Sequence, residues 1–297
     1  MKFIKNFILI LLFIFPISNS FGAMVTHNQT ATVSMSSGGI VAGVEFNSDG
    51  TKMFTSYAQP NDVRSGYYIQ EYNLSKPYDI STRVSAGDSQ RCELTGLETG
   101  NSFSVYDLDF SSDGMRFFVV NRHFNNDTAG ADEVAGFDLT SPYDISTCTF
   151  GSVHDELDTT ALTNGSNAGD FTGANMDHKV QSVEINDDGT KLFLLFYDDV
   201  DSDVGGRLYE YNLSTPYDVS TLSLVLTAGI AVPKTTSGVD NPSGMKFSSD
   251  GKRIFIVGHD SRRISQISLN KAYDTSTFTL DGGVSLQTGI SPTNTQP

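Results

Sequence analysis

Four internal repeats are the feature of this 297-residue chain that most restricts its fold. The first half of each repeat is an apolar strand followed by an Asp-Gly pair, as in GVEFNSDGTKMFTS from Gly43. The second half ends in a Tyr-Asp turn, as in QEYNLSKPYDIST from Gln70. The glycines of the Asp-Gly pairs are Gly50, Gly114, Gly189 and Gly251. Such repetition indicates one supersecondary unit that stacks on copies of itself.

Each repeat is predicted to form four short strands. Alternating residues such as Val44 and Phe46 predict the first strand, and the Asp-Gly pair predicts a hairpin because glycine readily takes a positive φ. In the Pro-Tyr-Asp-x-Ser-Thr segment, proline fixes φ and the polar side chains bond to nearby backbone, which predicts a second turn.

Four sheets of this kind arranged around an axis make a β-propeller. The sequence therefore predicts an all-β fold, a β-propeller of about four blades with four antiparallel strands each, within a domain spanning residues 23–297. A β-sandwich array is the alternative fold. The repeats cover approximately residues 40–92, 104–158, 179–228 and 241–286.

The segment FSSDGKRIFI, residues 247–256, resembles the first hairpin of TolB-type and YVTN-type bacterial propeller repeats. The proline that usually precedes Asp in those repeats is Ser or Asp here. The resemblance extends over about residues 40–285 and implies the propeller fold, but propellers include enzymes, binding proteins and scaffolds alike. Four blades close a ring alone, or with a strand from residues 28–36, or with another copy; the sequence leaves this open.

Residues 1–22 have the pattern of a secretory signal peptide. Two lysines precede an apolar run from Phe7 to Phe15, and small polar residues follow. We expect cleavage after Ser20 or Gly22, export to the periplasm or the extracellular space, and no membrane span afterwards. An uncleaved N-terminal anchor is the alternative. Export permits a disulfide, and Cys92 and Cys148 are the two cysteines of the chain, but the sequence does not decide whether they pair.

The chain is strongly acidic. It carries 19 Lys and Arg residues against 35 Asp and Glu residues, a formal net charge of −16. Such a surface repels phosphate backbones, so we expect no nucleic-acid partner. Cations and basic protein surfaces are compatible with it.

The connections between strands separate into two sets that a propeller places on opposite faces. The Asp-Gly and Tyr-Asp turns are nearly constant among the repeats, whereas the other connections vary in length and sequence. Function usually resides in long loops on a rigid scaffold, which favours the variable face. His123 and His259 end the second strands of their repeats at this face and are candidate binding residues.

Two groups of acidic residues are candidate metal sites. Asp199, Asp201 and Asp203 alternate in a variable loop and suit Ca²⁺, which prefers many oxygen ligands; a solvated acidic hairpin tip is the alternative. The second group occupies equivalent positions of the four first strands, which the alternation directs toward the axis or between blades: Glu45, Asp109, Glu184 and Lys246. An ion-pair network around Lys246 and a site for a cation or a small polar ligand are the two interpretations.

Recognised catalytic motifs are absent from the sequence: it has no Gly-x-Ser-x-Gly, no His-Glu-x-x-His and no phosphate-binding glycine loop. This favours an exported binding or scaffold module whose variable acidic loop face contacts a protein or glycan partner. Such a module requires no cofactor, with Ca²⁺ as a candidate ligand. A metal-dependent hydrolase or lactonase-like enzyme using the axial carboxylates is one alternative, and a self-assembling structural protein of the envelope is another.

Overall fold

The computed structural model describes residues 40–58, 68–97, 103–123, 132–154, 179–197, 204–225, 229–233, 241–258 and 263–285. The predicted signal peptide and the segment 28–36 lie outside these residues. No helix in the described part is long and apolar enough to cross a membrane.

Four antiparallel sheets follow one another along the chain, and each is one blade. In blade 1 the strands are β1 (Ile40–Phe46), β2 (Lys52–Ala58), β3 (Tyr68–Leu74), β4 (Arg83–Ser85) and β5 (Cys92–Glu93). In blade 2 they are β6 (Phe103–Phe110), β7 (Arg116–His123), β8 (Glu133–Asp138) and β9 (Thr149–His154).

The second half of the chain repeats this order. In blade 3 the strands are β10 (Lys179–Ile185), β11 (Lys191–Tyr197), β12 (Val204–Leu213), β13 (Leu222–Leu224) and β14 (Ile230–Pro233). In blade 4 they are β15 (Pro242–Phe247), β16 (Arg253–Gly258), β17 (Arg263–Leu269) and β18 (Phe278–Ser285). The predicted all-β, four-blade propeller is confirmed, and the sandwich array is not the fold.

Blades 1 and 3 differ from the predicted four strands per blade. In blade 1 both β4 and β5 pair with β3, and in blade 3 both β13 and β14 pair with β12. The outer strand of these blades is therefore made of two short pieces. In blade 1 a bend with a single turn of 3₁₀ helix, Asp88–Gln90, separates the pieces.

The two constant turns of each repeat pack on each other. Gly189 takes a φ of +69°, as the sequence predicts, and Tyr217 of the same blade takes a φ of +65°, which is uncommon for a tyrosine. The Tyr217 N–H donates to the Gly189 carbonyl at 2.9 Å, and the tyrosine ring covers the glycine. The other three blades repeat this contact, so both turns form one rigid unit.

The polar residues of the Tyr-Asp turn complete this unit. In blade 1 the Asp79 carboxylate accepts hydrogen bonds from the backbone N–H and the hydroxyl of Ser81, at 3.1 and 2.5 Å. The Thr82 hydroxyl donates to the Asp79 carbonyl at 2.8 Å. These bonds cap a short 3₁₀ helix, Ile80–Thr82, that begins the return to the outer strand.

The cores of the molecule lie between neighbouring blades. Three apolar clusters each combine residues of two successive blades, with Phe54 and Leu108 in the first, Phe118 and Val183 in the second, and Phe193 in the third. A disulfide between Cys92 and Cys148 further ties blade 1 to blade 2 and settles the pairing that the sequence left open.

Candidate functional site

The innermost strands of the blades bring the four predicted charged residues together at the axis. A β-bulge interrupts each of these strands upstream of the charged residue, as between Val105 and Asp107 in β6. A bulge bends its strand and re-aims the side chains that follow. Glu45, Asp109 and Glu184 place carboxylate oxygens within 4.8 Å of one another.

Lys246 lies among these three carboxylates. Its ammonium is 2.7 Å from Glu45 Oε2, 2.9 Å from Asp109 Oδ1 and 2.8 Å from Glu184 Oε1. Lys246 comes from blade 4, whereas each carboxylate comes from a different one of the other blades. One ammonium therefore joins all four blades at the axis.

The second oxygen of each carboxylate is also engaged. Asp109 Oδ2 accepts from the Ile185 backbone N–H of the next blade at 2.8 Å, and Glu184 Oε2 accepts from the Phe247 N–H of the next blade at 3.3 Å. Glu45 Oε1 accepts from the N–H of Phe46 on its own strand at 3.0 Å. Each carboxylate is thus held between a cation and a backbone donor.

Burial and charge act in opposite directions on this cluster. Burial raises the pKa of Glu45 above its usual range, and the charge of Lys246 opposes this. Burial also raises the pKa of Glu184, and the neighbouring Asp109 carboxylate adds to the rise. For Lys246, burial alone would lower the pKa, but the three carboxylates outweigh it and raise the pKa, so this ammonium stays charged.

A second polar layer lies two residues upstream on the same strands. Met245 N–H donates to Ser182 Oγ at 3.1 Å, and Ser182 O–H donates to Asp107 Oδ2 at 2.5 Å. Burial raises the pKa of Asp107 to about 7, although Ser182 and backbone N–H groups lower it. At Gly43 an added Cβ would lie 2.8 Å from the Asp107 Cα, so blade 1 needs a glycine here to approach blade 2 closely.

A bowl opens over the charged cluster. This cavity, which we call the acidic bowl, has a volume of about 280 Å³. Its wall includes residues of the Asp-Gly turns: Ser48, Ser111, Ser112, Asp187, Ser248 and Ser249. Its aromatic side chains are Phe46, Phe110, Phe247, Tyr143 and Tyr273.

The acidic bowl opens on the face of the constant turns, opposite to the face that the sequence favours for function. The reason is the position of the charged residues along their strands. Glu45 lies two residues before the turn that begins at Asn47, so its side chain reaches the axis at this end of the strand. The variability of the loops favours the other face as a binding surface, but it does not show at which end of the inner strands the charged side chains lie.

Other predicted site residues cannot be placed in this way. His123 ends β7, where it pairs with Phe103, but its side chain lies outside the described part of the chain. His259 and the acidic loop residues Asp199, Asp201 and Asp203 also lie outside it. Their proposed roles in binding and in calcium coordination stay predictions.

The repeats place Asp107 and Ser182 at equivalent positions, but the hydrogen bond between them and the tyrosines in the bowl wall could not be predicted from the sequence. The repeated Tyr of the turn signals a shared structural role, but the contact of Tyr143 and Tyr273 with the bowl depends on how neighbouring blades pack. Nothing in the linear spacing shows that.

The three carboxylates are chemically suited to a hard cation, since oxygen ligands of this kind bind Ca²⁺. In this chain, however, the Lys246 ammonium takes the position between them. A metal ion would have to displace that ammonium. The arrangement favours the ion-pair interpretation of the four residues over a metal centre.

No protein-family model and no curated protein matches the sequence. Solved structures that resemble it include a protein from Lactobacillus plantarum, at 12% identity and a TM-score of 0.47, covering 84% of this chain and 56% of that chain. A putative 6-phosphogluconolactonase from Bacteroides uniformis has 11% identity and a TM-score of 0.43, and the match covers 83% of this chain and 55% of that chain. A periplasmic gluconolactonase from Pseudomonas aeruginosa has 17% identity and a TM-score of 0.43, and the match covers 79% of this chain and 51% of that chain.

The chain thus spans about half the length of these solved structures. At such low identities the likeness concerns the fold. The β-propeller fold itself is shown by the four sheets of this chain.

Proposed function

We propose that this protein is an exported binding module, and that its acidic bowl receives a cationic group of a basic protein partner. The observation that carries the proposal is the composition of the bowl: three carboxylates against one ammonium, below a wall of aromatic rings. Aromatic faces and carboxylates both attract guanidinium and ammonium groups. The acidity of the whole chain favours the same class of partner.

The geometry gives little support to catalysis. Each axial carboxylate is held in place by Lys246 and a backbone N–H. The charge of Lys246 opposes protonation of Glu45 and Glu184, as proton transfer to a general base would require, whereas the remaining lone pairs can still attract a second cation. Two serines of the bowl are engaged in structural bonds: Ser111 donates to Asp113 of its own turn, and Ser112 donates to the Asp187 carbonyl in the turn of the next blade. A metal-dependent hydrolase would require that Lys246 leave the cluster.

The variable loop face remains a separate prediction for a protein or glycan partner, because most of its loops lie outside the described residues. A structural role in the envelope likewise stays a prediction. The described geometry supports the constant face more directly, since its turns are rigid and the cavity lies at their centre.

Fluorescence anisotropy of labelled hexa-arginine tests the proposal on the chain lacking residues 1–22. We expect saturable binding to the wild type and about tenfold weaker binding to Glu45→Gln, which corresponds to ~1.4 kcal/mol. A chitosan hexamer is the matched probe for an amine-bearing glycan.

Asp88→Asn is the matched control, because it removes the same charge from a side chain that is 89% exposed and lies outside the bowl. This variant should bind like the wild type. Equal weakening by both substitutions would mean that only overall charge attracts the peptide, and the assignment to the bowl would be wrong.

A further inference from the structure

Three of the four boundaries between successive blades are built alike. On one side, the third residue of the second strand packs against the inner strand of the next blade; these residues are Phe54, Phe118 and Phe193, all 0% exposed. Phe54 meets Phe110 at 4.7 Å between ring centroids, and Phe193 meets Phe247 at 4.5 Å. Each of these boundaries therefore contains a buried apolar contact.

A cation reinforces each of these three boundaries. Lys52 donates to the Tyr143 carbonyl of the next blade at 2.9 Å, and Lys191 donates to the Tyr273 carbonyl at 2.7 Å. The Arg116 guanidinium lies 5.2 Å from the centre of the Tyr217 ring. In every case the first residue of a second strand reaches the Tyr-Asp turn of the following blade.

The boundary from blade 4 to blade 1, which we call the open seam, has the same residues without the contact. Phe255, the equivalent of Phe54 and Phe193, is 36% exposed, and Val257 beside it is 41% exposed. On blade 1, Val44 is 53% exposed, whereas its equivalents in the other blades are at most 7% exposed. Both halves of a fourth apolar boundary are thus present and face solvent.

Among the described side chains, the contact between a cation and a turn tyrosine, which the other three boundaries have, is not formed at the open seam either. Arg253 is the equivalent of Lys52 and Lys191, and in the described residues its side chain reaches no tyrosine of another blade. The matching tyrosine, Tyr78, is 57% exposed. The Lys246–Glu45 ion pair joins blade 4 to blade 1 at the axis.

We infer that the open seam binds a second copy of this chain. Blade 1 of each copy packs on blade 4 of the other copy. The three internal boundaries show what covers such a face: the inner strand and Tyr-Asp turn of a blade. Blade 1 of a second copy supplies both, with Val44 toward Phe255 and Tyr78 toward Arg253. Because each copy offers two complementary surfaces, a pair of copies satisfies both and closes on itself.

In this assembly eight blades surround one axis, and Glu45 of one copy replaces, at Lys246 of the other, the Glu45 with which that lysine pairs inside a single chain. Assembly therefore opens the four-residue cluster of the single copy, so a cation held in the acidic bowl of one copy competes with the dimer. The inference rests on the packing at the seam and is tested independently of what the bowl binds.

Light scattering coupled to size-exclusion chromatography of the chain lacking residues 1–22 tests the inference first. We expect twice the mass of one chain, and one chain's mass for Phe255→Asp. Phe278→Asp is the matched control, because Phe278 is 40% exposed on the outer strand of the same blade, and we expect it to leave the mass doubled. A wild type with the mass of one chain across the accessible concentration range overturns the inference.

Cysteine trapping identifies the occupant of the seam even if Phe255→Asp folds poorly. Phe46→Cys and Phe255→Cys occupy the positions that meet in the other boundaries, so mixing the two single variants should give a disulfide between copies under mild oxidation. If the mixture does not cross-link and the double variant forms a bond within one chain, the four blades close their own ring and the inference is wrong. A one-chain mass that doubles only after residues 23–39 are removed makes the N-terminal segment the native occupant, and this also overturns it.

Discussion

The contact between the two constant turns allows a stability prediction with an internal control. In Gly189→Ala the new Cβ would lie 2.4 Å from Cδ1 of Tyr217, and the backbone keeps its φ of +69°. The left-handed backbone costs a non-glycine residue about 1–2 kcal/mol. Displacing a packed ring costs about 1–3 kcal/mol more.

Gly87→Ala tests a positive φ without a neighbouring ring. Gly87 has a φ of +91° and a ψ of 168°, a region essentially restricted to glycine and different from the left-handed helical region, and nothing lies within 4 Å of its added Cβ. We expect Gly87→Ala to lose about 1–3 kcal/mol through the backbone alone. Since ~1 kcal/mol shifts the Tm of a domain of this size by about 2–4 °C, the loss of about 2–5 kcal/mol in Gly189→Ala should lower its Tm by about 4–20 °C relative to the wild type.

A double-mutant cycle in a thermal melt followed by circular dichroism completes the assay. Adding Tyr217→Ala to Gly189→Ala removes the ring that the new methyl group meets. The double variant should therefore lose less stability than the sum of the losses of the two single variants. Additive losses in the cycle would refute the packing of the tyrosine on the glycine.

Three further predictions concern the charges and the disulfide. Burial raises the pKa of Asp107 from 3.8 to about 7, so between these pH values the folded state holds a proton that the unfolded chain has lost. The free energy of unfolding should therefore decrease as the pH rises from about 4 to about 7. Urea titrations should show a smaller decrease for Asp107→Asn. Lys246→Met should cost at least about 1 kcal/mol, less than the about 3–5 kcal/mol of a fully buried pair because this side chain is half exposed. Ca²⁺ should raise the Tm of this variant by more than it raises the Tm of the wild type. Replacing Cys92 and Cys148 by Ser should cost about 2–4 kcal/mol in the same titrations, since the bond closes a separation of 56 residues.

The repeats made the architecture predictable because each local signal agrees with the others. The Asp-Gly pairs specify hairpins by a backbone conformation that other residues resist, and the alternation around Glu45 and Lys246 specifies which side chains share a face. Period-two patterning in the amino-acid sequence was enough to group the four charged residues.

What could not be predicted depends on the packing of one blade against another. The angle between blades decides whether Phe255 contacts an inner strand or solvent. The apolar sequence around Phe255 resembles that around the buried Phe193, so the sequence does not distinguish the two. The location of the acidic bowl on the constant face follows from where the inner strands end relative to the axis. The left-handed backbone of the turn tyrosines likewise could not be predicted, because tyrosine has no intrinsic preference for it.

The central claim is that binding takes place on the face of the constant turns. Hydrogen–deuterium exchange measured by mass spectrometry, with and without hexa-arginine, locates the bound peptide directly. We predict slower exchange in the four Asp-Gly turns, residues 47–51, 111–115, 186–190 and 248–252, with unchanged exchange in the variable loops. Slower exchange in the segments 124–131 and 155–178, with the turns unaffected, would contradict the account.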